Sequence, residues 1–435
     1  MLGAVRSALA TPDLRKKILF TLGIVAVYRL GATLPAPGVS YSNVQECLRQ
    51  VQGSDAASVY SLINLFSGGA LLQLSIFALG IMPYITASII TQLLRVVIPR
   101  FEALHKEGAS GQAKMTQYTR YMTLGLAVLN ATTLVSTVRT GALFGDVEGC
   151  QDLIVNDTWW GIGIIVVTMT AGTGLIMWLG EQITERGVGN GMSLLIFTSI
   201  AAGFPASFGN ILTSQGVDIF LLVILVGLVI VALVVFVEQS QRRIPVQYAK
   251  RMVGRRMFGG TSTYIPIKVN QAGVIPVIFS SSVLYLPSLI SQFGDPEDGW
   301  VQWITTYFTA GDHPIYMIAY FLLTIFFTFF YVAITFNPEE VADNMKRYGG
   351  FIPGIRAGRP TERYLSYVLN RITLPGSVYL GCVALIPLVA LVLINANQDF
   401  PFGGTSLLII VGVGLETVKQ INSQMQQRHY EGLLR

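Results

Sequence analysis

The chain is poor in charge. Of its 435 residues only 12% are Asp, Glu, Lys or Arg, while 52% are hydrophobic. Ordinary soluble domains carry about twice that charged share, so the composition excludes one. Histidine and cysteine are scarce as well, with three of each. His105, His313 and His429 are too scattered along the sequence to build a metal centre. No Walker A pattern, Ser–His–Asp set or Cys–His pair stands out, so neither a nucleotide-driven motor nor a hydrolase is indicated. Carboxylates are nearly missing from the apolar runs. Arg29 lies inside one, and Glu181, Asp218, Glu238 and Glu416 fall close to run ends. Ion-coupled transporters place ionisable groups in mid-membrane, where they are costly and therefore functional. Their shortage weakens a small-solute transporter, the main alternative reading. The sequence implies no cofactor, and any work done through this chain draws its energy from a partner.

What the chain has in abundance is long apolar runs. A helix needs roughly 20 mostly apolar residues to cross the hydrocarbon layer. Spans are expected at about 17–36, 73–94, 119–138, 159–180, 189–206, 217–237, 271–291, 315–336, 373–394 and 404–424. Lys and Arg crowd every second connection: Lys16 and Lys17, then Arg95 to Arg120, Arg186, Arg242 to Lys268, Lys346 to Arg371, and Lys419 to Arg435. The opposite side has Arg49 and Arg139 and little else basic. Short basic loops stay in the cytoplasm, so both termini are expected inside. The runs are too long for barrel strands and lack a period of two. The formal net charge of +5 follows from the same rule and needs no nucleic-acid partner. The first run continues through Arg29 without a small-residue cleavage site, which reads as an uncleaved span.

Several segments break the regular pattern. Residues 59–72, VYSLINLFSGGALL, are apolar but too short to cross. Two readings stand: a surface-lying amphipathic helix, or a short re-entrant helix hinged at Gly68–Gly69. The third basic loop, residues 239–270, has strand-like stretches at 244–248 and 261–267 around a basic turn at Gly254–Arg255–Arg256, which suits a cytoplasmic β-hairpin. Pro245 and Pro266 make both strands edge-like. The fourth basic loop, 337–371, reads as ordered and turn-rich. The glycines of residues 187–191 follow an apolar run and not a strand, which favours a tight turn over a phosphate-binding loop. Cys382 lies in a span and reads as a packing residue. Cys47 and Cys150 fall in outward loops and are either disulfide-bonded to one another or free. The midpoint, near 202–216, leaves five spans on each side, an arrangement compatible with inverted pseudo-symmetry.

Six stretches identify a family. NLFSGGALLQLSIFALGIMPYITASIITQLL (64–94), MWLGEQITERGVGNGMSLLIF (177–197), QRRIPVQYAKR (241–251), KVNQAGVIPVIF (268–279), GGFIPGIR (349–356) and FGGTSLLI (402–409) resemble the SecY family of protein-translocation channels. The resemblance implies an all-α multi-span membrane protein with ten transmembrane helices in two five-helix halves, residues 1–205 and 206–435. It also implies a short re-entrant plug and a cytoplasmic β-hairpin. The plug would be residues 59–72, centred on Leu62, Ile63, Asn64, Leu65, Phe66, Ser67, Gly68 and Gly69. A pore ring of aliphatic side chains would comprise Ile81, Ile85, Ile196, Ile278 and Ile409. A lateral gate would run along Thr86, Ser88 and Gln92 in the second span and Gly273, Pro276, Ser280 and Ser281 in the seventh. Arg242, Arg243, Arg255, Arg256 and Arg356 match family positions that dock the SecA motor or the ribosome. The implied partners are SecE and SecG, SecA, the ribosome, preproteins bearing signal sequences, and the bilayer of a bacterial plasma membrane. The implied activity is conduction of unfolded chains, not catalysis.

Overall fold

A computed structural model describes residues 11–51, 69–71, 73–139, 153–155, 158–248, 251–253, 256–258, 262–291, 298–309, 313–394 and 404–431. The chain divides into two compact units, residues 1–214 with 413–435, and residues 215–412. Most of the described chain is helical, and five helical segments are long and apolar enough to cross a membrane: 109–139, 159–186, 220–239, 314–347 and 359–386. Intrahelical bonding is the only way a lone segment can satisfy its backbone in lipid. The same economy governs the hydroxyls. Thr123, Thr168, Thr170, Thr173 and Thr198 each donate to the carbonyl four residues back, so they need no water.

In the first unit, helix α1 (Pro12–Thr33) starts on a proline at its first position, where the missing N–H costs nothing. A short helix α2 (Tyr41–Val51) follows. Residues 73–81 are not the start of a helix, as the hydropathy suggests, but a run of turns. Leu74 and Gly80 adopt left-handed backbone with φ of 47° and 55°, which ends any helix there. The backbone instead pairs with the end of α1: Ala36 N donates to Leu74 O, and Ile76 N to Leu34 O. Helix α3 (Met82–Val97) begins only after this, and α4 (Pro99–Lys106) and the long α5 (Ala109–Arg139) complete the hairpin.

Helix α6 (Trp159–Arg186) packs on these turns through Gly172, where any side chain would collide with the Ile76 carbonyl. Residues 187–190 form the expected tight turn. Gly191 lies against the Gly180 carbonyl, and the Asn190 side chain accepts from Met192 N to cap α7 (Gly191–Gln215). That helix runs past Pro205, so the predicted loop at 202–216 shrinks to Gly216, whose φ of 85° makes the break. The second half of the last helix, α14 (Gly404–Glu431), belongs to this unit from Val413 onward; Ile421 and Met425 pack on Leu14, Ile18 and Val188.

The second unit opens with α8 (Val217–Gln239), followed by strands β1 (Gln241–Tyr248), β2 (Arg251–Val253), β3 (Arg256–Phe258) and β4 (Ser262–Lys268). Helix α9 (Ile275–Ser291), a short α10 (Gly299–Ile304) with a π turn at Thr305–Thr309, and α11 (Pro314–Thr335) come next. The loop predicted over 337–371 is mostly helical. Asn337 accepts from Glu339 N, Pro338 sits at the first position, and Glu339 and Glu340 face Lys346 and Arg347 across α12 (Pro338–Arg347). Those charges complement the helix dipole at both ends. Only 348–358 remain as turns and the two-residue strand β5 (Gly350–Phe351). Helix α13 (Arg359–Ile394) starts well before the predicted span. It meets α11 closely because Gly381 leaves room for the Phe321 ring. Cys382, expected to pack inside, is exposed on the outer face of α13.

Candidate functional site

The third and fourth basic loops form one folded object. Strands β1 and β4 pair antiparallel from Gln241↔Lys268 to Gln247↔Ser262, which is the predicted hairpin. Strand β5 then adds to the other side of β1 through Gln247↔Phe351 and Tyr248↔Gly350. The order is therefore β4-β1-β5, and β1 is central instead of an edge. Pro245 tolerates this because β5 reaches only residues 247 and 248. Alternation along β1 buries Ile244 and Val246, which join Ile267, Met345, Ile352 and Leu365 in one small core. The third and fourth basic loops, 90 and more positions apart in places, are thereby one sheet-and-helix platform.

The basic residues stand on the platform's outer side. Arg242 and Arg243 are exposed on β1, and the Arg243 guanidinium lies 4.9 Å above the Tyr264 ring. That contact holds an otherwise mobile side chain in place while leaving its donors free of carboxylate. Arg256 lies in β3, paired with Val253 at the end of a β2–β3 ribbon, and Arg255 falls outside the described residues. Arg356 is exposed in the turn before α13, where the Thr361 hydroxyl donates to its carbonyl at 3.0 Å. Two acidic–basic pairs join described residues, Lys114–Glu107 and Arg120–Glu181, and both lie away from the platform.

The expected pore positions lie on four helices and one helix cap. Ile81 ends the turn segment as the residue preceding α3, its carbonyl accepting from Ile85 N one turn on. These two share a face of α3. Ile196 is on α7, Ile278 in the first turn of α9 and Ile409 in the first half of α14. Ile81, Ile196, Ile278 and Ile409 are buried, at 2%, 8%, 6% and 2% exposure, and Ile85 is half-buried. Other isoleucines on the long apolar helices look different: Ile164 and Ile318 are 53% and 59% exposed.

The gate positions are held within their own helices. Thr86 donates to Met82 O, and Ser281 to Ile278 O. Ser280 is fully buried, donates to Pro276 O at 2.8 Å and accepts from Thr324 at 3.2 Å, tying α9 to α11. Helices α3 and α5 are tied the same way by Thr119 and Thr91, at 3.1 Å. Ser88 and Gln92 are half-buried on α3. Gly273 adopts φ of 64° just before α9, and Pro276 occupies that helix's second position. Of residues 59–72, only Gly69, Ala70 and Leu71 are described, Gly69 in a turn with φ of 89°; residues 59–68 and 72 lie outside the described residues. Cys47 is fully buried with Val44 and Leu153 and is disulfide-bonded, while Cys150 lies outside the described residues.

Comparison with known proteins settles the lineage. The SecY family model matches residues 75–418. The chain belongs to the SecY family. A protein translocase subunit SecY of Streptomyces galbus is 64% identical over 439 residues, covering 100% of both chains. The SecY subunits of Micrococcus luteus and Mycobacterium bovis are 60% and 59% identical over the same full extent. Among solved structures, a protein-conducting channel superposes with a TM-score of 0.62 at 17% identity, covering 94% of this chain and 92% of that one. The Sec61 channel of a canine ribosome–channel complex gives 0.58 at 16% identity, covering 94% and 92%. The SecY-type fold is thus shared well beyond close sequence relatives.

Sequence reasoning missed three polar links of this SecY-family fold. Arg120 and Glu181 form a bidentate pair at 2.8 and 2.7 Å between α5 and α6. Tyr28 and Ser199 share a 2.6 Å hydrogen bond between α1 and α7. Asn270 donates to Glu238 at 2.6 Å, joining the start of α9 to the end of α8. Each pairs residues far apart in sequence, and no local spacing signals them.

Proposed function

We propose that this chain is the protein-conducting channel of a bacterial general secretory pathway. It passes unfolded preproteins across the plasma membrane and releases membrane segments sideways into lipid. It crosses the bilayer ten times, through α1, α3, α5, α6, α7, α8, α9, α11, α13 and α14, with both termini cytoplasmic. Residues 1–205 and 206–435 are two halves of inverted topology. The end-to-end match to protein translocase subunits carries this reading.

The chemistry of the matched positions supports it. An unfolded chain of any sequence has to slide through, so the constriction must offer no specific hydrogen bond or charge. Ile81, Ile85, Ile196, Ile278 and Ile409 supply a deformable aliphatic collar that resists water and ions by dewetting. Burial of four of them, Ile81, Ile196, Ile278 and Ile409, sets these apart from the exposed isoleucines Ile164 and Ile318. Residues 62–69 act as the plug that closes the external side. Thr86, Ser88 and Gln92 on α3 and Gly273, Pro276, Ser280 and Ser281 at α9 border the lateral gate. Each border is backed by a hydroxyl-linked helix pair, α3 with α5 and α9 with α11, so each border moves as a unit. Cys47 pairs with Cys150 on the outer side.

Arg242, Arg243, Arg255, Arg256 and Arg356 dock the SecA motor or the ribosome, and SecE and SecG complete the complex. Arginine forks suit carboxylate and phosphate alike, and their binding weakens with salt. The deciding experiment reconstitutes the chain with its small partner subunits in vesicles and supplies SecA, ATP and a secretory precursor. Precursor import is expected, without uptake of small solutes. Arg356→Glu is expected to cut SecA-dependent import at least tenfold while the complex stays folded. Solute uptake without import, or normal import by that variant, overturns the respective assignment.

A further inference from the structure

The junction beneath α9 contains two buried polar atoms without partners. Asn270 is 3% exposed, and its amide nitrogen donates both to the Glu238 carboxylate at 2.6 Å and to the Gly273 carbonyl at 3.2 Å. Both donors are then spent, which fixes the amide orientation and leaves Oδ1 buried with no donor facing it. The Tyr379 hydroxyl on α13 is buried and likewise unmatched. Helix α13 presses directly on this segment: a side chain at Gly376, one turn before Tyr379, would strike the Val269 carbonyl. Tyr379 is also within electrostatic range of Glu238. A spare acceptor and a spare donor therefore border one junction.

The junction is where the platform meets the gate helix. Val269 N donates to Ser240 O, closing the base of the hairpin beside the end of α8. Four residues later Gly273 turns the chain through left-handed backbone into α9, and no neighbour lies within 4 Å of where its side chain would be. Besides Asn270, the segment is held by Ala272, buried in the platform core, and by Lys268 N donating to the Gln271 side chain, while Gly273 itself leaves room to turn. One amide thus fastens the start of α9 to α8 and to the hairpin base together.

We infer that Asn270 is a positioning residue for transport: it holds α9 in one orientation through Glu238 and Gly273, and releasing Gly273 lets its amide oxygen accept from Tyr379. This rests on the channel reading and on α9 bordering the gate. Loading of the platform moves the hairpin base and Asn270 with it, so docking reaches α9 through a hydrogen-bond exchange as well as through Ala272 in the platform core. Both arrangements leave a polar group short of a partner, so neither is locked.

The test uses the whole complex in vesicles, with SecA binding, precursor import and discrimination between intact and defective signal sequences measured side by side. Asn270→Ala and Asn270→Asp are expected to keep SecA affinity within twofold while discrimination falls about tenfold. The latter sets a carboxylate against Glu238, so the pair Asn270→Asp with Glu238→Gln, which restores an amide–carboxylate contact, is expected to recover most of that loss. Tyr379→Phe removes an atom unused in the holding arrangement, so it is expected to preserve discrimination and slow import several-fold. Unchanged discrimination in both Asn270 variants, or no recovery in the pair, overturns the inference. Absence of import by the unaltered chain would instead sink the channel reading.

Discussion

The Arg120–Glu181 pair allows a quantitative prediction. Arg120 on α5 gives Nε and one terminal nitrogen to the two oxygens of Glu181 on α6, and its other terminal nitrogen reaches Gln117 at 3.2 Å. At contact distance and an effective dielectric near 20, the bare attraction is on the order of 5 kcal/mol. Desolvation and the ordering of two long side chains take back most of it. Fully exposed pairs retain roughly 0.2–1 kcal/mol, and breaking a buried one costs about 3–5 kcal/mol. With the side chains 39% and 18% exposed, this pair lies between those limits. Removing either partner should therefore cost about 2 kcal/mol. In a cycle of Arg120→Gln, Glu181→Gln and the double variant, the coupling should be about 1–2 kcal/mol. The assay is reversible unfolding of the purified complex in mixed micelles as the share of denaturing detergent rises. Arg120→Lys keeps the charge but loses the fork, and should retain about half the coupling. Because Glu181 is mostly shielded, the coupling should survive high salt. A coupling below about 0.3 kcal/mol, the ordinary error of additivity, would refute the reasoning.

Two further outcomes follow from the site. Replacing Ile81 or Ile278, both buried, with Gly or Asn should raise resting ion conductance in planar bilayers, and unchanged conductance counts against the aliphatic collar. Cys47 paired with Cys150 predicts a mass gain of two hydrogens on reduction and no alkylation of either thiol beforehand, whereas exposed Cys382 should label in the unreduced protein; two labelled outer thiols would exclude the bridge.

Hydropathy and charge placed a helix over nearly every expected span, because length and apolarity are local properties. Where they misled, a backbone feature overrode composition. Residues 73–81 are as apolar as a span, yet Leu74 and Gly80 turn left-handed and the strand-like bridge at Pro35↔Ser75 takes the backbone bonds. The 337–371 loop reads as turns from its glycines and prolines, yet Asn337 and Pro338 start a helix and buried Ala342 and Met345 hold it. The motif singled out the arginines proposed for docking, but the union of their two loops was not legible. It depends on β5, two residues long, and on Ile352 filling a gap beside Ile244. A pairing that short leaves no periodicity to read.

The same distinction bears on how a channel can be both tight and movable. Helices that must stay together are joined here by contacts that tolerate no gap: Gly172 on the Ile76 carbonyl, Gly381 on Phe321, and hydroxyl pairs such as Thr119–Thr91 and Ser280–Thr324. In hydrocarbon such interhelical hydrogen bonds are worth only about 0.6–2 kcal/mol each, so the close backbone approach supplies the rest. Asn270 differs from all of these. It is bound to a left-handed glycine turn and beside a carboxylate, with an acceptor left over and a donor nearby that is also unmatched. A junction built for rigidity would have matched those two groups. If the Tyr379 hydroxyl and the Asn270 oxygen can be crosslinked or bridged by substitution without loss of gating, the softness assigned to this joint belongs elsewhere in the fold.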